Sequence, residues 1–223
     1  MADFRTHLTV STGCGLLYGA AASNPLGFEP ATAALAAGVT AVGGMLPDLD
    51  SDSGVPVRAA SGLIAALSPL LLLPRFHAAG FSYDGTLAGM MAVYLLVRYP
   101  LAGLFRRVTV HRGMWHSLPA MLVAGLAVYL EYDDPTAVRP VGKKLLLAGG
   151  VMLGFLSHLL LDELWSVDFN GVRVKLKGSA GTAVKLASKS VWATCVCYGL
   201  LGGLGFLAYQ DWAGRGLPLP WGR

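Results

Sequence analysis

Charge is what this chain has least of. Only 13% of its 223 residues are Asp, Glu, Lys or Arg, while 54% are hydrophobic. A soluble domain of this length carries about a quarter charged residues, so many of its helices need not face water. Mean hydropathy, at +0.56, points the same way. Cysteine is scarce too. Cys14, Cys195 and Cys197 all lie in apolar stretches, and their odd count and spacing argue against a disulfide framework or a cysteine zinc site. They read as small packing residues. No repeat, low-complexity segment or direct nucleic-acid signature stands out. A cleavable leader is not expected either: Thr9, Ser11, Thr12, Gly13, Gly15 and Gly19 interrupt the first apolar run, as in a packed membrane helix.

What the chain does have is apolar runs. Seven candidate spans fall near 8–23, 31–46, 59–74, 85–104, 117–131, 143–161 and 190–209. Each is about 15–21 residues, at the short end for crossing a bilayer. The first two are rich in Ala and Gly and fit a tilted or partly embedded hairpin. The expected fold is all-α: a single polytopic membrane helical bundle over residues 1–223, with a short hairpin-like basic loop at 162–189. Within that loop, Val167–Lys177 alternates apolar and polar residues around Asn170-Gly171, a hairpin signal.

Lys and Arg set the orientation. With seven spans, the N-terminus and the loops near 47–58, 99–116 and 162–189 share one side, which holds 11 of the 17 Lys and Arg. That side is expected to be cytoplasmic. The basic loop could touch anionic headgroups or a phosphorylated substrate, although orientation bias alone accounts for its charges.

Four polar clusters fall on that same side. His7 precedes the first span, Pro47–Asp52 (PDLDSD) closes the second, His111–Ser117 (HRGMWHS) opens the fifth, and Ser157–Asp162 (SHLLLD) ends the sixth. His158 and Asp162 are four apart, hence one turn apart on one helix face. An ionisable pair near the membrane boundary needs a partner or a job. Asp48, Asp50 and Asp52 repel one another unless solvated or neutralised by a cation. They lack the terminal Glu of an EF-hand. His111 and His116 are imidazoles suited to zinc or a similar ion, and Arg112 suits a bidentate contact with phosphate. Ser117 is placed to cap the next helix, and Trp115 reads as a membrane-interface anchor. His77 falls on the other side, with no function assigned.

Each cluster also has a plain structural reading: a His–Asp hydrogen bond, an acidic turn, interfacial histidines. Their conjunction points further. The order of a His near the N-terminus, PDLD, HRG-x-x-HS and SHLLLD resembles the YdjM family, described as inner-membrane metal-dependent hydrolases and as LexA-binding. The likeness runs from His7 to about Lys185. It implies an enzyme of the inner membrane, multi-pass with its N-terminus in the cytoplasm. The implied metal ligands are His7, Asp48, Asp50, His111, His116, His158 and Asp162, with Asp50 and Arg112 as catalytic residues. The implied cofactor is a divalent metal, zinc before manganese or magnesium, as one or two ions. The His-x-x-x-Asp helix is also similar to that of zinc-dependent phospholipase C, which suggests a lipid-linked or other phosphoester substrate at the bilayer surface. A membrane metal-ion carrier or sensor, or a regulatory scaffold binding a cytosolic protein partner through 162–189, are the competing expectations.

Overall fold

The computed structural model describes residues 3–50, 55–104, 113–134, 137, 140–169, 174–176 and 184–215. Its helices begin where the chain offers a cap. α1 (Phe4–Ser23) starts at Asp3, whose carboxylate accepts the N–H of Thr6 at 2.8 Å. α2 (Pro30–Gly43) carries proline in its first turn, where no N–H is needed. A 3₁₀ turn (Pro47–Asp50) and α3 (Val55–Ala78) follow. α4 (Tyr83–Leu96) is capped by Ser82 and passes into a π turn at Val97–Leu101, where Pro100 withholds its N–H. α5 (Leu118–Glu131) is capped by Ser117, as its position in the sequence suggests, with the Ala120 N–H 3.3 Å from the hydroxyl. α6 (Pro140–Leu164) and α7 (Val191–Gly214) complete the described helices.

These elements lie where the hydropathy put them, in an all-α bundle. Among the described residues, four segments are long and apolar enough to cross a membrane: Arg58–Ala78, Tyr83–Leu104, Pro140–Leu164 and Val191–Gly214. α2 and α5 have 14 residues each, or about 21 Å at 1.5 Å per residue, short of a hydrocarbon core of about 30 Å. The hairpin signal corresponds to β1 (Val167–Phe169) paired antiparallel with β2 (Val174–Leu176), Asp168 opposite Lys175. Residues 170–173 and 177–183 of the basic loop lie outside the described residues. All three cysteines are free.

α6 is the central element, packed against α1, α2 and α5, while α3 and α4 form a hairpin and α7 leans on α5. Close approach depends on missing side chains. A Cβ on Gly15 of α1 would stand 2.5 Å from the Ala37 carbonyl oxygen, and one on Gly154 of α6 would stand 1.9 Å from that of Thr40. The lean outer faces belong to α4 and α7. Leu87, Met91, Leu95, Leu200, Phe206 and Leu207 are all exposed there, which suits lipid.

The bundle carries a charge cluster at the end away from the predicted motifs. Lys144 is fully buried. Its Nζ sits 2.9 Å from Asp211 Oδ2, and the Tyr129 hydroxyl donates to the same oxygen at 3.0 Å. Arg215 Nη2 reaches Asp211 Oδ1 at 2.9 Å and Asp133 Oδ1 at 2.7 Å. These bonds tie the end of α7 to α5 and α6. Removing one partner of a buried pair costs about 3–5 kcal/mol, because the other charge is stranded. Asp211→Ala leaves buried Lys144 with the more distant Asp133 carboxylate, at 4.0 Å, and should lose stability towards the lower end of that scale. Lys144→Met leaves Asp211 held by Arg215 and should cost distinctly less. Thermal unfolding of both variants in detergent checks the asymmetry, and equal losses would contradict it.

Candidate metal centre

The chain runs up and down, so the start of α1, the end of α2, the start of α5 and the end of α6 meet at one end of the bundle. Each brings one predicted motif. His7 lies in the first turn of α1, Asp48 in the 3₁₀ turn after α2, His116 in the turn before α5, and His158 and Asp162 in the last turns of α6. Sealed between helices, His7, His116, His158 and Asp162 are buried, whereas the Asp48 side chain is 16% exposed and so is the group nearest to solvent.

His158 is the hub. Its Nδ1 stands 2.7 Å from the Gly44 carbonyl oxygen. A carbonyl can only accept, so Nδ1 bears the proton and neutral His158 presents its lone pair at Nε2. That nitrogen is buried and has no hydrogen-bond partner. It faces Asp48 Oδ1 at 3.7 Å and Asp162 Oδ2 at 3.8 Å. The other carboxylate oxygen of Asp162 lies 3.3 Å from His7 Nε2. The His7 and His158 rings stack at 3.7 Å and 12°, and the His116 ring meets His158 edge-on at 5.7 Å.

Among the described residues, two groups of three donors, His7–His158–Asp162 and Asp48–His116–His158, each gather within 4.8 Å and could hold a metal ion. The spacing fits that use. A lone pair facing two carboxylates at 3.7 and 3.8 Å is too far away for a hydrogen bond. Ligands about 2.05 Å from a tetrahedral ion stand about 3.4 Å apart. A bare lone pair beside two carboxylates is repulsive, and a cation reverses the sign of that interaction.

The four motifs at this end also match a known family over residues 1–176, described as YdjM inner membrane protein. The chain belongs to the YdjM family. The match takes in every residue of both groups that could hold a metal and stops before α7. No curated protein and no solved structure matches the chain. Of the other ligands and catalytic residues expected for a YdjM protein, His111 and Arg112 lie outside the described residues, as does the side chain of Asp50; Asp52, beside the motif, lies outside them too.

Two participants escaped the sequence. The Gly44 carbonyl, which fixes the tautomer of His158, is a backbone atom with no side-chain signal. Trp115, expected as an interface anchor, is instead half-buried and donates its indole N–H to the Leu46 carbonyl oxygen at 2.8 Å.

Proposed function

We propose that the chain is a membrane-embedded, metal-dependent hydrolase acting on a phosphoester, a lipid-linked one in particular, at the cytoplasmic face. The reading rests on one observation above the others: the buried, partnerless Nε2 of His158, aimed between two carboxylates with its tautomer fixed from behind. A hydrogen-bonded second nitrogen is the usual arrangement of a metal-binding histidine.

His7, Asp48, His116, His158 and Asp162 would hold a divalent ion, with zinc favoured by the imidazole-rich set. Such an ion supplies Lewis acidity towards a phosphoryl oxygen and acidifies water. Asp162 lies between the two rings, one oxygen 3.3 Å from His7 Nε2 and the other 3.8 Å from His158 Nε2. Asp48, the most accessible carboxylate of the set, is placed to accept a proton at the solvent edge. Asp50 and Arg112 are proposed as a second proton-handling carboxylate and as the grip on the anionic substrate. The excess of Lys and Arg on this side supports a cytoplasmic N-terminus.

A transport path would need polar groups through the bilayer. Between Lys144 and His158 the buried residues of α6 are Leu146, Leu147, Ala148, Gly150, Val151, Gly154 and Phe155, which favours chemistry at one end over passage.

Detergent-purified protein should hydrolyse bis(p-nitrophenyl) phosphate or phosphatidylglycerol in mixed micelles. Chelation should abolish the activity and zinc should restore it. Metal-loaded protein inert towards both substrates would overturn the phosphoesterase reading.

A further inference from the structure

The end of α2 is where the motifs are held in register. The carbonyls that follow Gly43 lie past the end of α2, and two of them accept from side chains of other motifs, the Leu46 oxygen in addition to the Leu49 N–H it accepts at 3.1 Å. The Gly44 oxygen takes the Nδ1 proton of His158 at 2.7 Å, and the Leu46 oxygen takes the Nε1 proton of Trp115 at 2.8 Å. Leu46 stands two residues before Asp48, and Trp115 stands next to His116. One bond therefore joins the backbone carrying one candidate ligand to the backbone carrying another, across 69 positions of chain.

Trp115 reaches the third motif as well. Its ring meets Phe155 edge-on, with centroids 6.2 Å apart and planes at 70°. Phe155 is fully buried on α6, three residues before His158. Asp48, His116 and His158 form one of the two metal-holding groups. Trp115 touches the supporting segment of each.

We propose that Trp115 is a positioning residue of the metal centre: its indole N–H fixes the Asp48 turn against the His116 turn, and its ring seats both on the His158 helix. The inference rests on the metal-binding reading above and adds to it the residue that sets the geometry. The three motifs come from separate helices, and the 3₁₀ turn and the turn before α5 have little regular structure of their own to hold them. Each turn is closed by its own backbone bond, Leu49 N–H to Leu46 O and His116 N–H to Gly113 O, and the Trp115 bond to the Leu46 carbonyl ties one turn to the other. Supporting groups of this kind are worth about 10–100-fold in metal affinity.

Trp115→Phe keeps an aromatic ring beside Phe155 and deletes the donor. Full-length protein in detergent, stripped and titrated with zinc against a chromophoric chelator, should bind about tenfold more weakly as Trp115→Phe. The visible spectrum of the cobalt-loaded variant should show altered ligand-field bands. Unfolding of the metal-free variant should stay close to that of the parent, which separates positioning from packing. Trp115→Leu, lacking ring and donor together, should bind more weakly still. Zinc affinity and a cobalt spectrum unchanged in Trp115→Phe would overturn the inference while leaving the metal site standing. Parent protein that binds no metal would instead defeat the reading beneath it.

Discussion

Replacing His158 with alanine should lower the affinity for a divalent ion by about 10²–10³-fold. Structural zinc sites with four ligands are worth about 10–16 kcal/mol. One ligand in four is then about 3–4 kcal/mol, and each 1.4 kcal/mol is a factor of ten. His158 should sit at the severe end because both metal-holding groups contain it. His7→Ala removes a member of one group and should cost less. The substitution also leaves the Gly44 carbonyl without the proton it accepts at 2.7 Å, which costs about 1–3 kcal/mol of stability in its own right. Affinity must therefore be read on protein that still unfolds cooperatively. Chelator competition with zinc gives the number. His158→Ala binding as tightly as the parent would remove this histidine from the centre.

Gly154→Ala should be the most damaging single methyl group in the bundle. In an ordinary helix the change gains about 1 kcal/mol, since alanine is the better helix former. Here the new Cβ would lie 1.9 Å from the Thr40 carbonyl oxygen and 2.8 Å from the Gly44 nitrogen. Both are backbone atoms, so no rotamer relieves the contact and α2 must move off α6. Overpacking costs about 1–3 kcal/mol, occasionally more, when side chains can yield. With backbone on both sides, the loss should reach about 3 kcal/mol or beyond. The displaced strand of chain includes Gly44, so zinc affinity should fall together with stability. Gly202→Ala, in open space on α7, is the control and should be neutral or slightly stabilising. Thermal unfolding of the two variants compares them. A Gly154→Ala protein as stable as the parent would mean that the two helices are not in this contact.

The sequence carried some of this and hid the rest, for reasons that can be named. Helix positions were legible because burial and lipid both demand apolar runs, and Ser117 punctuates them where capping chemistry requires. The pairing of His158 with Asp162 was legible because four residues on a helix is a fixed geometry. The meeting of His7, Asp48 and His116 with that pair followed only from the alternation of helix directions. What stayed hidden is contact between distant parts. Lys144 and Arg215 looked like orientation charges, yet each turns inward to Asp211, because a charge near an apolar helix end is as well served by a buried counter-charge as by water. Trp115 looked like an interface anchor for a similar reason: an amphipathic ring satisfies its N–H equally at headgroups or at a backbone carbonyl such as that of Leu46. Hydropathy cannot distinguish these outcomes.

The same contacts give the molecule two unlike ends. About 21 Å of apolar helix separates Lys144 from His158, at 1.5 Å for each of 14 residues. At one end the charges of Lys144, Arg215, Asp133 and Asp211 are mutually paired, as suits a clamp for α7. At the other, a nitrogen and two carboxylates converge without closing hydrogen bonds between them, as suits a ligand.

X-ray absorption at the edge of whichever metal co-purifies with the full chain bears most directly on that contrast. Imidazole and carboxylate ligation predicts a first shell of nitrogen and oxygen at about 2.0–2.2 Å, with the outer-shell scattering of histidine rings, and predicts that the histidine signal weakens in His116→Ala. A protein that takes up no divalent ion, or a sulfur shell at about 2.3 Å, would contradict it.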